Sequence, residues 1–253
     1  QAVTGASGKE LEQLEAKARE LGATTKFSAT EAAEAMGYLG MAGFKTNQIM
    51  DSMEDVLNLA AAGALDLGMA ADIASNIMSG FGMEAKEMGH IADVLAKSAA
   101  SANTSVEQMG TAMSYVAPIA KGMGISLEES AAAIGILSNA GIQGERAGTA
   151  LRGIIAQLSD VSGGTAKKLA ELGLSAEDVN PKTKSLTEIL KTLKDAGVTA
   201  ADAMELVGVE AGPGLAALLE SGDAELANFT NQLKNADGAA AQMAETMSDN
   251  TKG

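Results

Sequence analysis

The chain has 253 residues and a formal charge of −15, with 18 Lys and Arg against 33 Asp and Glu. That balance opposes direct binding to DNA or RNA, where Lys and Arg must displace phosphate counterions, and it favours solubility. There is no cysteine, so disulfides, thiolate metal sites and a thiol nucleophile are all excluded. With 50 Ala, 29 Gly and 14 Met against two Tyr, four Phe and no Trp, the core must be built from short aliphatic and thioether side chains, which pack closely but with few aromatic anchors.

From the N-terminus, Leu11, Leu14, Ala18 and Leu21 fall at three-four spacing, as in a coiled-coil seam, up to a stop at Gly22. Ser28 and Glu31 then have the spacing of a capping box, in which a hydroxyl and a carboxylate satisfy the free amides of a helix start. Thr104 with Glu107, Ser126 with Glu129 and Ser185 with Glu188 repeat that spacing. Between the caps, Ile49, Met50, Met53, Val56 and Leu57, then Met88, Ile91, Val94 and Leu95, then Val106, Met109, Met113 and Val116 keep helical period. No stretch alternates with period two, so no strand is predicted.

A glycine-anchored phrase recurs at Ala42-Gly43-Phe44, Phe81-Gly82-Met83 and Met123-Gly124-Ile125, each time followed by an apolar helical run. Gly43, Gly82 and Gly124 are 39 and 42 positions apart, enough for two helices and two turns per repeat. Pro118 is expected to kink or end the helix that opens near Thr104, and Gly163-Gly164 reads as a hinge. Beyond that hinge, Lys167, Lys168, Lys182, Lys184, Lys191 and Lys194 concentrate positive charge. They read as a solvated face, with a patch for an acidic partner or another copy of the chain as the sharper reading.

The fold class expected is therefore all-α, with tandem helical hairpins of about 40 residues packed as an array and a second small helical subdomain, and no β-sheet. The expected divisions are an N-terminal helix at 1–26, a hairpin-repeat domain at 27–162, a second subdomain at 163–236 and a C-terminal helix or linker at 237–253. The apolar runs, such as Ala131 to Leu137, are shorter than the roughly 18 residues a bilayer span needs. No basic region with an apolar core opens the chain, so the segment reads as soluble. It starts at Gln1 without an initiator Met and stops at Lys252-Gly253 in a polar tail, which reads as a piece of a longer protein.

No constellation for chemistry stands out. His90 is the only histidine, so a His pair, a Ser-His-Asp triad and a His-based metal site are out of reach within one copy. Glu54-Asp55, Glu128-Glu129 and Glu177-Asp178 are neighbours in sequence, which on a helix point about 100° apart. The run Gly141 to Gly148 lacks the Lys-Ser/Thr of a phosphate loop and carries Glu145, so it reads as an interhelical turn, with Arg146 pairing a nearby carboxylate. Gly212-Pro213-Gly214 reads as a helix-breaking turn before Leu215. Gly43, Gly82, Gly124, Gly144, Arg146, Gly148, Leu151, Gly212, Pro213 and Gly214 are thus candidates for turns or interfaces, with no catalytic, cofactor or metal residues among them.

Phe27-Ser28-Ala29-Thr30-Glu31-Ala32-Ala33-Glu34-Ala35-Met36, the Ala42-Gly43-Phe44 turn, Gly148-Thr149-Ala150-Leu151-Arg152 and Ala211-Gly212-Pro213-Gly214-Leu215-Ala216-Ala217-Leu218-Leu219 follow one another in an order that resembles the core of phage tail tape measure proteins. Each phrase alone carries little information, but their succession over more than 200 residues makes the likeness specific. The resemblance implies a structural protein of a long-tailed phage or tail-like particle that templates tube assembly, sets tail length and leaves ahead of the DNA at infection. The implied partners are tail tube and tail tip proteins, further copies of the chain in a homo-oligomer, and tail assembly chaperones. The implied place is the virion, in the tail lumen or at the tip, and the host cytoplasm during assembly. Nothing supports a cofactor, an enzymatic activity or membrane contact for this segment. The competing expectation is an intracellular helical-repeat scaffold with a concave groove for partner proteins.

Overall fold

The computed structural model describes residues 8–250, and every regular element among them is helical. The helices are α1 (Lys9–Thr24), α2 (Ala29–Met41), α3 (Thr46–Gly63), α4 (Leu67–Phe81), α5 (Met88–Ser101), α6 (Val106–Met123), α7 (Leu127–Asn139), α8 (Glu145–Ser159), α9 (Gly163–Glu171), α10 (Leu186–Asp195), α11 (Ala200–Ser221), α12 (Asp223–Lys234) and α13 (Ala239–Asn250). Short 3-10 turns at Ala85–Glu87 and Ala176–Val179 precede α5 and α10. The chain divides into two compact units: the described residues up to Lys97 together with those from Ala236 onward, and Ser98–Asn235.

The recurring glycine phrase is a recurring helix stop. Gly43, Gly82 and Gly124 have φ of 91°, 69° and 73°, a region that suits glycine at the end of a helix. In each case the amide of the next residue reaches back five positions, Phe44 to the Leu39 carbonyl at 3.1 Å, Met83 to Met78 at 2.9 Å and Ile125 to Ala120 at 3.0 Å. This is the Schellman arrangement, which satisfies carbonyls the helix leaves unpaired. Phe44 and Ile125 are themselves buried, so each stop also anchors the outgoing chain. Two helices lie between Gly43 and Gly82, and two more between Gly82 and Gly124, as the period requires. Gly141, Gly173 and Gly197 make the same stop with Ile142, Leu174 and Val198.

Of the four expected capping boxes, two stand as read. Ser28 accepts from the Glu31 amide at 3.2 Å while Glu31 accepts from the Ser28 amide at 2.7 Å, and Ser185 and Glu188 do the same at 3.2 and 2.8 Å. The box expected at Thr104 and Glu107 lies one residue later, between Ser105 and Gln108, because the Asn103 amide is held by the Asn139 side chain at 2.7 Å and the chain enters α6 after it. Ser126 caps α7 through the Glu129 amide at 3.1 Å, but the Glu129 carboxylate turns away to a distant helix. Pro118 does not end α6, which continues to Met123. Pro118 and Ser114, whose carbonyl loses its donor, are both exposed, so water can replace the missing bond.

In the first unit, α1 packs on α2, α2 on α4, and α3 on α4 and α13. Leu39, Ile49, Met53, Leu59, Leu67, Ile77, Ile91 and Leu95 are completely buried there. Gly22 permits the close turn from α1 into α2, since a Cβ at that position would stand 2.5 Å from the Ala29 nitrogen. Asp93 accepts from the amides of Gly238 and Ala240, both at 2.8 Å, and so caps α13.

Candidate functional surface on helix α8

Seven of the ten candidate residues converge on α8 and the helix packed along it. Gly144 precedes α8 at φ 55°, Arg146, Gly148 and Leu151 lie on α8, and Gly212, Pro213 and Gly214 lie within α11. Helix α8 packs against α6 on one side and α11 on another. Its two interior glycines serve one interface each. A Cβ at Gly148 would fall 2.5 Å from the Ala112 carbonyl oxygen of α6, and one at Gly153 would fall 2.9 Å from the Ala211 Cβ of α11. Gly214 returns the relationship from α11, where a Cβ would meet the Ala150 Cβ at 3.0 Å. Leu151, Ile154, Ile155 and Leu158 are buried between these contacts. The sequence pointed to Gly148 and Gly214, and Ala211 opens the same quoted phrase as Gly214, but no motif marked Gly153.

Gly212-Pro213-Gly214 is not the break expected of it. The break in α11 falls at Gly208, with φ 84° and ψ 166°, and the helix resumes through Pro213 to Ser221. Pro213 is exposed, as is Val209, whose carbonyl its ring leaves without a donor, so the proline sits where hydration is free. Gly163-Gly164, read as a hinge, forms the first turn of α9.

Arg146 forms no ion pair among the described residues, contrary to expectation; it is exposed, with Ile142, Thr149, Val209, Glu210 and Pro213 around the same cleft. Arg152 does have a partner, its guanidinium lying 5.8 Å from the centre of the Tyr115 ring. The Glu145 carboxylate beside the Tyr115 hydroxyl pushes that phenol's pKa up. The lysines after residue 166 are partly consumed inside the chain. Lys168 reaches Asp202 at 2.6 Å and Glu205 at 3.1 Å, Lys191 reaches Asp195 at 2.6 Å, and Lys167 lies 3.8 Å from Glu171. Bonds from Lys168 and Thr199 hold the Asp202 carboxyl far below the usual range.

Two further titratable groups have partners distant in the sequence. The buried Glu129 accepts from the Thr187 amide at 3.1 Å and hydroxyl at 3.3 Å at the start of α10. Burial pushes its pKa up, against the opposing hydrogen bonds from Thr187 and Leu186 and the charge of Lys234. His90 lies on α5 with its Nδ1 3.8 Å from Asp237. Among the described residues no group of three or more His, Cys, Asp or Glu is placed to hold a metal ion. The surface around α8 is one of small residues meeting small residues, suited to close helix packing.

A family model described as phage-related minor tail protein matches residues 15–208. The chain is 44% identical over 256 residues to the tape measure protein of Pneumococcus phage Dp-1, covering 99% of this chain and 22% of that protein. It is 31% identical over 264 residues to the probable tape measure protein of Escherichia phage P2, covering 100% of this chain and 32% of that protein. The chain thus spans between a fifth and a third of the length of these relatives. No solved structure matches it. With the family model covering most of its length and both alignments covering 99% or more of this chain, the chain belongs to the phage-related minor tail protein family.

Proposed function

We propose that this chain is the helical core segment of a tape measure protein, which templates assembly of the tail tube, helps to set tail length and leaves the tail at genome ejection. The observation that carries the reading is the 44% identity to a tape measure protein along 99% of the chain. The fold supports it: an all-α array of helices of 9 to 22 residues, joined by Schellman stops, relies mainly on local signals. Such contacts favour rapid folding, and few aromatic anchors with no disulfide ease unfolding in a narrow tube. As a continuous helix at ~1.5 Å per residue the chain would reach about 380 Å, whereas a compact domain of this length has a radius of gyration near 18 Å. A segment that either folds at a wider part of the tail, near the tip, or passes through the lumen strung out as helices meets both limits.

The partners that follow are tail tube and tail tip proteins, further copies of the chain, and assembly chaperones that cover it before the tube closes. The role is structural and non-enzymatic. The negative charge keeps the tape from adhering to the DNA behind it. The scaffold reading is not favoured, since both relatives are named as tape measure proteins or probable ones.

Cross-linking mass spectrometry on intact particles tests this reading. Peptides from this segment should cross-link to tube or tip proteins in filled particles, and those links should vanish after ejection. A segment absent from purified particles, or linked to tube proteins equally before and after ejection, would contradict it.

A further inference from the structure

Helix α11 carries its own break at a single residue. Gly208, at φ 84° and ψ 166°, occupies a region of backbone space open essentially to glycine alone, between two stretches that are otherwise helical. The two halves fold back on each other there. In a straight helix residues 204 and 212 are separated by about 12 Å along the axis, yet a Cβ built on Gly212 would stand 2.7 Å from the Met204 Cα. Only glycine at 212 allows the halves to approach so closely. The apex leaves Met204 and Val209 exposed, Val209 at 81%.

The break also has a dedicated partner. In an unbroken helix the Leu206 carbonyl would accept from the Glu210 amide; here the buried Thr165 hydroxyl of α9 donates to it instead, at 3.0 Å. The Lys168 to Asp202 bond at 2.6 Å fixes the same half to α9. On the other half, Ala211 and Gly214 are seated on Gly153 and Ala150 of α8. Each half therefore has its own dock, and α8 and α9 are joined only through Asp160-Val161-Ser162, ending at Gly163 with φ 52°. Pro213 is no obstacle to straightening, because the Val209 carbonyl that it leaves without a donor is already within the second half.

We propose that α11 is a two-state element: folded back at Gly208 in this structure, and able to straighten into one rod of 22 residues, about 33 Å long, when the Leu206 carbonyl exchanges Thr165 for the Glu210 amide. The Thr165 hydroxyl is the catch that favours the folded-back state, and Gly208 is the hinge. The change converts two short docked helices into one narrow one without altering the covalent chain or its charge.

Because the chain has no cysteine, Ala200→Cys and Glu220→Cys place spin labels at two exposed sites. Their backbone separation in a straight helix is about 30 Å, against about 22 Å for a right-angle bend at Gly208 and less for a sharper one. Double electron–electron resonance on the labelled chain should give a short distance. Gly208→Ala should shift it to about 30 Å with helical circular dichroism retained, since alanine cannot hold the folded-back conformation. Thr165→Val, which removes the catch and keeps the shape, should add a population near 30 Å to the short one. A short distance in both variants would overturn the proposal, as would global unfolding of Gly208→Ala, which would show that no straight state exists to receive the chain.

Discussion

The Glu129 carboxylate accepts hydrogen bonds from both the amide and the hydroxyl of Thr187, 58 residues further along the chain. It thereby caps α10 from α7, when its spacing from Ser126 would have suited a local box on its own helix. Burial raises its pKa above the ordinary value, so ionising it is less favourable in the folded state than in the unfolded chain. The group's contribution to stability is therefore full below the unfolded-state pKa and is lost as pH rises through the folded-state pKa. Glu129→Gln keeps an acceptor for Thr187 without the buried charge. It should be more stable than the parent at pH 7, with the two converging in acid, as read from urea midpoints across pH. Glu129→Ala removes the acceptor of the Thr187 amide and hydroxyl while Ser185 and Glu188 still cap α10, and should cost about 1–3 kcal/mol in acid and less as pH rises.

Gly148 and Gly122 make opposite predictions within one packed pair of helices. A methyl group at Gly148 would run into the Ala112 carbonyl oxygen at 2.5 Å, so Gly148→Ala should destabilise by about 1–3 kcal/mol as α8 is forced off α6. A methyl group at Gly122, in the last turn of α6, would meet nothing within 4 Å, and Gly122→Ala should stabilise by up to about 1 kcal/mol. Thermal or chemical denaturation of the two variants side by side distinguishes them by sign.

The sequence is most legible where chemistry is local. Ser28 with Glu31 and Ser185 with Glu188 cap as their spacing requires, because both partners lie within one turn. Gly43, Gly82 and Gly124 stop helices because a positive φ followed by an apolar residue, buried at Phe44 and Ile125, needs only neighbours in sequence. What the sequence concealed was settled by distant competitors. Glu129 was drawn away by Thr187, and the α6 start was displaced by Asn139 holding Asn103. Pro118 and Pro213, which look like breakers, are tolerated because each lies on an exposed face, whereas Gly208, with no proline beside it, is where α11 breaks. The α8 surface was partly visible: Gly148, Ala211 and Gly214 lie in recognisable phrases, while Gly153 is an ordinary small residue until the two helices are seen together.

Ala64 is the one residue other than glycine with positive φ among those described, at 51°. It ends α3 in the same way that Gly82 and Gly124 end α4 and α6, with the Leu65 amide reaching back to the Ala60 carbonyl at 2.9 Å. A left-handed alanine costs about 1–2 kcal/mol, part of which glycine returns as chain entropy when unfolded. Ala64→Gly should therefore raise stability by about 0.5–1 kcal/mol, measurable as an increased urea midpoint with an unchanged slope.

Asp93 ties α13 to α5 across 145 residues through its bonds to the Gly238 and Ala240 amides. Helix α13 is exposed along most of its length, with Ala240 buried at its start and α3 packed beside it. Asp93→Ala should cost about 1 kcal/mol and raise hydrogen exchange selectively in Ala239–Asn250 and in the α3 residues it covers. Equal exchange rates in parent and variant would show that α13 is held by its packing on α3 alone.

The ruler reading is tested most directly by tail length. Deleting Gly82 to Met123 from the intact parent gene removes 42 residues, α5 and α6 among them, and places Gly124 directly after Phe81, so that α4 keeps a terminating glycine. Electron microscopy of the resulting particles should show tails uniformly shortened, by up to about 63 Å if the segment lies as extended helix. Tails of parental length on fully infectious particles would contradict the account.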